Sequence, residues 1–446
     1  MSKDLTHGTP WRLIVQFALP IMAGNLLQQL YNTADTIIVG NFEGQHALSA
    51  VGACTSLTIL FTALAIGFSI GAGVLIAQFF GAGREQELRR YAATSIVLML
   101  GMGLLMSIIG LASARLLLEG FLGTPEGLLP LAAQYFQIYA VGLVFQFGYN
   151  IAAALLRAIG DSKSTLYFLL ASSVMNVILD LLFVAVFHMG VAGAAIATVL
   201  SQLTSCVFGF VYMYRRYALL RFSLRQLRFE LPVAGKVLRI GAPMALQQSI
   251  VSCGFLFLQK LVNLFGESMI ASYTVASRMD AILMIPVAGI QNTMATYAGQ
   301  NMGAQQPERV AKGLGQGVLV SLIMTLILSV LQIAGAPLII RAFQLDSAAA
   351  AICRQHLFAS AVSVPIFAVY FPANGMFQGV GEGFHATFYA LMALGLRVVF
   401  AYSLYQTALF GYTAIWWSQA MSWILTLVVC YLHFFRGDWK KKTLVS

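Results

Sequence analysis

The chain has 446 residues, of which 59% are hydrophobic and only 9% are charged. A mean hydropathy of +0.82 excludes a water-soluble domain of this size, because too much apolar surface would face water. The formal net charge of +10 comes from basic residues concentrated in loops. This pattern indicates orientation in a membrane, and we expect no nucleic-acid partner.

Apolar stretches of roughly 20 residues or more recur along the whole chain, too long for the strands of an outer-membrane barrel. We therefore predict an all-α membrane protein with about twelve transmembrane helices. The first apolar run is too long for a cleavable signal, and we expect it to remain as span 1. The predicted spans begin near Leu13, Ala47, Tyr91, Leu129, Ser164, Val191, Val237, Met269, Gly313, Ala351, Ala386 and Tyr412.

Basic residues occupy alternate loops, and the longest basic stretch runs from residue 215 to 239. The intervening loops are short and carry few Lys or Arg. Because basic loops stay on the cytoplasmic side during insertion, we expect both termini and this linker to be cytoplasmic. We expect the linker to lie on the lipid headgroups. The chain is predicted to be a monomeric multi-pass protein of the plasma membrane, which is the inner membrane in bacteria.

An internal repeat organises the chain at an offset of about 221 to 223 residues. The stretch beginning at Pro20 matches the one at Pro243, and "RAIGDS" at 157–162 matches "QGVGEG" at 378–383. Six spans per repeat make the two repeats parallel, related by a pseudo-twofold along the membrane normal. We predict an N-lobe of residues 1–214, a basic linker of residues 215–236 and a C-lobe of residues 237–446. This organisation is typical of alternating-access transporters.

Polar side chains follow one face of several N-lobe spans. Span 1 carries a stripe with spacings of three, four and three, formed by Asn25, Gln28, Asn32 and Asp35. Three further spans carry pairs four residues apart, which are Gln146 with Asn150, Asn176 with Asp180, and Thr198 with Gln202. Hydrogen bonds that join helices account for any single amide or hydroxyl. Four spans with such faces indicate one polar site.

The two acids, Asp35 and Asp180, need a further explanation. Placing an ionised carboxylate at the centre of a membrane costs at least about 2.5 to 3.5 kcal/mol, so such acids are usually functional. The aligned positions of the second repeat hold Leu258 and Ala401, so a structural need common to both lobes does not explain them. Two neighbouring carboxylates cannot both stay ionised in a low dielectric unless a cation or proton neutralises them.

These residues resemble the multidrug and toxic compound extrusion (MATE) family. The resemblance lies in "LP" followed by "YNTADTIIVG" in span 1, the "GAG" ending span 2, "NVILD" in span 5, Thr198, Asn150 and the two-lobed repeat. It covers nearly the whole chain and is closest to the DinF-like branch, whose essential acids lie in the N-lobe. The other branch carries acids on helices 7 and 10, where this chain has Lys260 and Asn374.

The resemblance implies cation-driven antiport, with H⁺ or Na⁺ as the coupling ion and no other metal or cofactor. It implies a cation-binding cluster formed by Asp35, Asn176, Asp180 and Thr198, with Asn150 beside it. Carboxylate, amide and hydroxyl oxygens would also suit Na⁺, so the two ions should compete. Pro20 matches the proline at which helix 1 bends.

The C-lobe carries unusual polar residues of its own. Arg278 and Asp280 lie inside span 8 and face different sides, and we predict Lys260 as the partner of Asp280. This pair would serve either to join helices or to act in gating or substrate binding. Six histidines lie scattered near span ends and form no metal-ligand spacing. The substrate-cavity candidates are Asn25, Gln28, Asn32, Gln146 and Gln202 of the N-lobe and Tyr370, Asn374 and Gln378 of the C-lobe.

Three functions fit the sequence to different degrees. An ion-coupled exporter of small amphipathic, cationic organic compounds is favoured by the repeat and the buried acids. A flippase for lipids or lipid-linked oligosaccharides is second, and a membrane-embedded enzyme is third. "GFSIG" at 67–71 fits a serine-hydrolase pattern, but it lies within an apolar helix and is better explained by close helix packing. We therefore expect no enzymatic activity. The sequence leaves the substrate, the stoichiometry and the choice between H⁺ and Na⁺ open.

Overall fold

A computed structural model describes residues 4–223, 226–442 and 444, without the side chains of residues 121 and 252–257. The described residues form helices and no strands, which confirms the predicted all-α membrane fold. The helices are α1 Pro10–Gly81, α2 Glu85–Arg115, α3 Leu129–Val141, α4 Leu143–Ala158, α5 Lys163–Asp180, α6 Gly190–Arg216, α7 Leu231–Asn263, α8 Glu267–Gly303, α9 Pro307–Ala342, α10 Ser347–Gly379, α11 Gly383–Leu404 and α12 Ala414–Arg436.

These helices account for the twelve predicted spans. Helix α1 has 72 residues and would be about 108 Å long, more than three times the roughly 30 Å hydrocarbon core, so it holds two spans. The break falls at Gly44, whose φ of 78° and ψ of −174° only glycine adopts readily. Helices α3 and α4 form one further span, bent by 44° at Gly142.

The chain divides by contacts into two compact units. Unit 1 consists of Ala23–Ser249, and unit 2 consists of Asp4–Met22 together with Ile250–Ser446. Helix α1 therefore contributes its first turns to unit 2 and the rest to unit 1, whereas α7 contributes its residues up to Ser249 to unit 1 and the rest to unit 2. The boundaries of these contact units, which fall inside α1 and α7, differ from the boundaries of the lobes that the repeat predicts.

Unit 1 is built around the contacts of α2, α4 and α6, with α3 and α5 packed beside them. Its core includes the buried side chains of Phe136, Leu143 and Phe147. In the second half of α1, Gly67 and Gly71 lie against the backbone of Ala245 and Gly241 on α7, too close for a side chain. The "GFSIG" stretch is thus a helix-packing motif.

Unit 2 is built around α10, which packs against α8, α9 and α12. Helices α10 and α8 approach closely, since a Cβ on Gly375 would collide with the carbonyl oxygen of Gln291. Gly379, one turn later, meets the backbone of Ala295 in the same way. Small residues at this spacing let two helix backbones pack closely in a membrane, where dispersion contacts replace hydrophobic driving force.

Two arginines of α2 form hydrogen bonds with the described part of the basic linker. Arg89 donates to the carbonyl oxygens of Ala218 and Arg221 at 2.8 and 2.7 Å. Arg90 donates from Nε and Nη2 to Glu230 at 2.8 and 2.6 Å. This hydrogen bonding holds the pKa of Glu230 below its ordinary value. Linker residues 224 and 225 lie outside the described residues.

Replacing Gly375 tests the close contact between α8 and α10. Gly375→Ala should lower the thermal unfolding temperature in detergent, because overpacking costs typically about 1 to 3 kcal/mol. Gly395→Ala on α11 is the matched control, since a Cβ there meets no neighbouring atom and Ala favours helix. Equal unfolding temperatures for the two variants would contradict the packing described here.

Candidate cation and substrate site

Asp35 of α1 and Asp180 of α5 face one another within unit 1. Their carboxyl groups are close enough to interact electrostatically, and a hydrogen bond between them would require that one of them carries a proton. Asp180 is completely buried. Asp35 Oδ1 and both oxygens of Asp180 have no donor among the described residues. A buried carboxylate without donors is costly, so this pair calls for a proton or another cation.

Local helix geometry places Asp180 at a change in winding. Helix α5 ends at Asp180, and Leu181–Val186 continues it as a π-helix. Short π-helical segments are rare and occur often at functional sites. Asn176 lies one turn before Asp180 on the same face, and its amide nitrogen and oxygen are both buried without a described partner. The face thus offers three buried, unsatisfied oxygens.

Tyrosines surround Asp35. Tyr31 lies one turn earlier on α1, and Tyr135 lies on α3, and both interact electrostatically with the Asp35 carboxylate. The rings of Tyr135 and Tyr139 are nearly parallel, with centroids 6.4 Å apart. These tyrosines were not among the predicted site residues, although the spacings of Tyr31 with Asp35 and of Tyr135 with Tyr139 each follow one helix face.

Gln146 joins three helical segments of unit 1. Its Nε2 donates to the hydroxyl of Thr62 at 2.7 Å, and its Oε1 accepts from the hydroxyl of Tyr139 at 3.2 Å. Asn150 donates to the Gln146 carbonyl oxygen at 2.9 Å within α4. A Cβ on Gly142 would lie 2.6 Å from Oε1 of Gln202, so the bend between α3 and α4 leaves room for that side chain.

Thr198, another predicted cation ligand, is hydrogen-bonded within its own helix. The hydroxyl of Thr198 donates to the carbonyl oxygen of Ala194 in its own helix at 3.0 Å, its only hydrogen bond among the described residues. The structure therefore brings together Asp35 and Asp180, with Asn176 on the same face, but records no bond from Thr198 to them. The role of this cluster in cation binding stays a prediction.

The stripe on α1 is partly accessible. Asn25 and Asp35 are half-buried, while Gln28 and Asn32 are exposed. Gln28 lies about one turn before Tyr31 on the same helix. Pro20 lies inside α1, three residues before the point where the helix passes from unit 2 to unit 1 at Ala23. Exposed amides beside tyrosines leave this stretch of α1 able to contact a ligand.

The polar face of α10 is closed by its own hydrogen bonds. Asn374 donates to the Tyr370 hydroxyl and the Ala386 carbonyl oxygen, both at 2.8 Å. Its Oδ1 accepts from Gln378 and Gln291, both at 3.0 Å. Tyr370, Asn374 and Gln378 are all buried. This arrangement favours a role in joining α8, α10 and α11 over contact with substrate.

The predicted pair of Lys260 with Asp280 does not form. Asp280 Oδ2 instead lies 3.2 Å from Nε2 of His356, whose ring stacks on Trp416 with centroids 5.0 Å apart. Lys260 and Arg278 are both exposed. Arg397 of α11 also interacts with Asp280. The prediction failed because helix spacing alone did not indicate that α10 supplies the partner.

Comparison with known proteins extends over almost the whole chain. The family model described as MatE matches residues 20–182 and 243–403. A protein of Bacillus subtilis (strain 168) named "Probable multidrug resistance protein YpnP" is 29% identical, over 100% of this chain and 99% of that protein. "Multidrug export protein MepA" of Staphylococcus aureus (strain NCTC 8325 / PS 47) is 24% identical, over 95% of this chain and 94% of that protein.

A solved structure described as the outward-facing conformation of a multidrug resistance MATE family transporter of the MOP superfamily has the same fold. The TM-score is 0.92 and the identity 25%, with 99% of each chain covered.

A double-mutant cycle tests the contact between Asp280 and His356. Asp280→Asn combined with His356→Gln should show a coupling of about 0.5 to 3 kcal/mol in thermal stability, because the two groups are in contact. Asp280→Asn combined with Lys260→Met should be additive within about 0.5 kcal/mol. Coupling to Lys260 as strong as coupling to His356 would contradict the contact.

Proposed function

The chain belongs to the MatE family, and on that premise we propose that it is a cation-coupled antiporter that exports small amphipathic, cationic organic compounds by alternating access. The observation that supports this most directly is the interaction between Asp35 and the buried Asp180, whose two carboxylate oxygens lack donors among the described residues. Two carboxyl groups in this arrangement bind one proton more readily than they tolerate two charges. H⁺ or Na⁺ is the proposed coupling ion, with no other cofactor.

Protonation is the simplest way to neutralise the pair. A proton shared by Asp35 and Asp180 leaves one negative charge, and a second proton removes it. Na⁺ would compete for the same carboxylates, with the amide oxygen of Asn176 and the hydroxyl of Thr198 as further oxygen ligands. Either ion changes the charge on α1, and this change is the coupling event in our proposal.

Helix α1 is suited to convert that charge change into movement. Pro20 removes one backbone hydrogen bond inside α1, and such a break permits bending. The hydroxyls of Thr33 and Thr36 bond back to the carbonyl oxygens of Gln29 and Asn32, which also favours a bent helix. We propose that neutralisation of Asp35 lets α1 bend about Pro20 and release substrate.

The residues around Asp35 indicate the class of substrate. Tyr31, Tyr135 and Tyr139 supply aromatic faces that attract cations, and an unprotonated Asp35 supplies a charge. A cationic, partly apolar compound would therefore compete with the coupling ion for this region. Competition of this kind links substrate release to ion entry without any direct contact between the two.

The alternatives fit less well. A flippase acts on an anionic headgroup and needs a cationic cavity, whereas the charged side chains of the described site in unit 1 are two acids. YpnP and MepA are named as multidrug proteins. An enzyme is not favoured either, since the hydrolase-like "GFSIG" serves helix packing.

Exchanging Asp35 for its neutral isostere tests the coupling role. Asp35→Asn mimics the protonated acid, so gradient-driven efflux of a cationic dye from proteoliposomes should fall to the level of protein-free vesicles while dye binding remains. Imposing a pH gradient and a Na⁺ gradient separately on the unmodified protein identifies the ion. Glu119→Gln, an exposed acid of the same unit, is the control and should transport normally. Undiminished efflux by Asp35→Asn would rule the role out.

We also propose that the chain is a monomer in the bacterial inner membrane, with both termini and the linker cytoplasmic. Glu126→Cys and Ser223→Cys replace exposed residues in loops of opposite predicted sidedness. An impermeant thiol reagent added outside intact spheroplasts should label Cys at 126 and spare Cys at 223. Labelling of both positions from the same side would contradict the topology.

A further inference from the structure

Three side chains with metal-binding atoms meet in unit 2. Glu382 precedes α11, His385 lies in its first turn, and His433 lies in the last turn of α12. Glu382 Oε2 is 3.6 Å from Nδ1 of His385 and 3.4 Å from Nε2 of His433. The sequence shows no metal-ligand spacing among the histidines, because His385 and His433 are 48 positions apart and only the hairpin of α11 and α12 brings them together.

The distances suit a metal better than hydrogen bonds. Good hydrogen bonds between nitrogen and oxygen measure about 2.7 to 3.2 Å, and Oε2 of Glu382 has no donor among the described residues. Tetrahedral Zn²⁺ with bonds of about 2.0 to 2.2 Å separates its ligand atoms by about 3.3 to 3.5 Å. The three ligand atoms all lie within 4.8 Å of one another, so a small contraction would complete the set.

The repeat supplies an internal comparison. In unit 1, the carboxylate of Asp161 accepts hydrogen bonds from the hydroxyls of Ser164 at 2.6 Å, Tyr217 at 2.7 Å and Tyr212 at 3.3 Å. The residues 221 positions after Asp161, Ser164 and Tyr212 are Glu382, His385 and His433. The two hydroxyl groups that donate to Asp161 in unit 1 are thus replaced by imidazoles beside Glu382 in unit 2. A purely structural carboxylate has no need of this exchange.

The surroundings orient the imidazole of His433 for binding. Its ring stacks on Phe377, with centroids 4.9 Å apart and planes 7° apart. Its Nδ1 lies 2.6 Å from the hydroxyl of Tyr389. When Nδ1–H donates to that hydroxyl, the lone pair of Nε2 is left to face Glu382. Histidines that bind metals almost always donate their other ring N–H in this way.

Lys442 occupies the other side of the carboxylate. Its Nζ lies 2.7 Å from Oε1 of Glu382, which leaves Oε2 to the two histidines. The side chain of Glu382 is 1% exposed and that of His385 is 41% exposed. A metal bound here would therefore be reachable from solvent on the side of His385, where water can supply a fourth ligand.

We propose that Glu382, His385 and His433 form a binding site for Zn²⁺ or a similar divalent transition metal. Two imidazoles and one carboxylate are ligands that Zn²⁺ accepts readily, with water completing the tetrahedron. The site is separate from Asp35 and Asp180, which belong to unit 1. Lys442 contacts the other oxygen of Glu382, so its positive charge weakens metal binding without occupying the site.

The test uses the full chain, purified in detergent without a polyhistidine tag and stripped of metal by a chelator. Zn²⁺ titrated by calorimetry should bind with one equivalent, and Co²⁺ should show the intense visible absorption of tetrahedral coordination. His385→Ser with His433→Tyr installs the residues of unit 1 and should abolish binding while leaving the unfolding temperature near that of the unmodified protein. His46→Ser, an exposed histidine of unit 1, is the control and should bind normally.

Two further variants keep the test independent of folding. Tyr389→Phe retains all three ligands and should weaken binding by roughly 10- to 100-fold, as loss of a partner of a metal-binding histidine does. Lys442→Met removes a neighbouring positive charge and should tighten binding by about three- to tenfold. Absence of stoichiometric binding by the unmodified protein, or unchanged affinity in the His385→Ser, His433→Tyr double variant, would overturn the proposal.

Discussion

A carboxyl pair buried within a membrane cannot keep two negative charges, and unit 1 is arranged around that constraint. Asp35 and Asp180 come from helices distant in sequence and interact electrostatically, and Asp35 Oδ1 and both Asp180 oxygens lack donors among the described residues. Each uncompensated charge costs at least about 2.5 to 3.5 kcal/mol at the membrane centre. Proton or cation binding is therefore part of the stability of this arrangement as well as of its proposed function.

Buried polar side chains on α10 and on α5 differ in how far their hydrogen bonds are satisfied. On α10, Asn374 has both its donors and its acceptor satisfied by Tyr370, Ala386, Gln378 and Gln291. Such a network fixes α8, α10 and α11 against one another, and the close approach at Gly375 adds to it. On α5, Asn176 and Asp180 remain unsatisfied. We interpret the network on α10 as one that holds its helices rigidly. We interpret the unsatisfied groups on α5 as ligands for an ion.

Much of the fold could be predicted from the sequence, because apolar length and helix spacing report directly on membrane spans and faces. The pairing of Asn176 with Asp180 on one face follows from a spacing of four. Contacts between helices could not be predicted in the same way. Asp280 pairs with His356 across 76 positions, and no local pattern distinguishes that histidine from Lys260. The proximity of Asp35 to Asp180 is expected from the family resemblance, since no local spacing connects residues so far apart in the chain.

The repeat contained more information than alignment of its motifs suggested. Alignment of the two repeats shows only that Asp161 and Glu382 are both acids. Comparing their neighbours in space shows that hydroxyls serve one acid and imidazoles the other. His433 lies far along the chain from Glu382, so only the folded hairpin of α11 and α12 shows that they meet.

Proton release on substrate binding tests the central claim most directly. When a cationic substrate is added to the purified protein in lightly buffered solution, the account predicts that the shared proton of Asp35 and Asp180 is displaced and acidifies the solution. Asp180→Asn should bind substrate without releasing that proton. Equal proton release by the variant and the unmodified protein would contradict the account, because the proton would then come from another group.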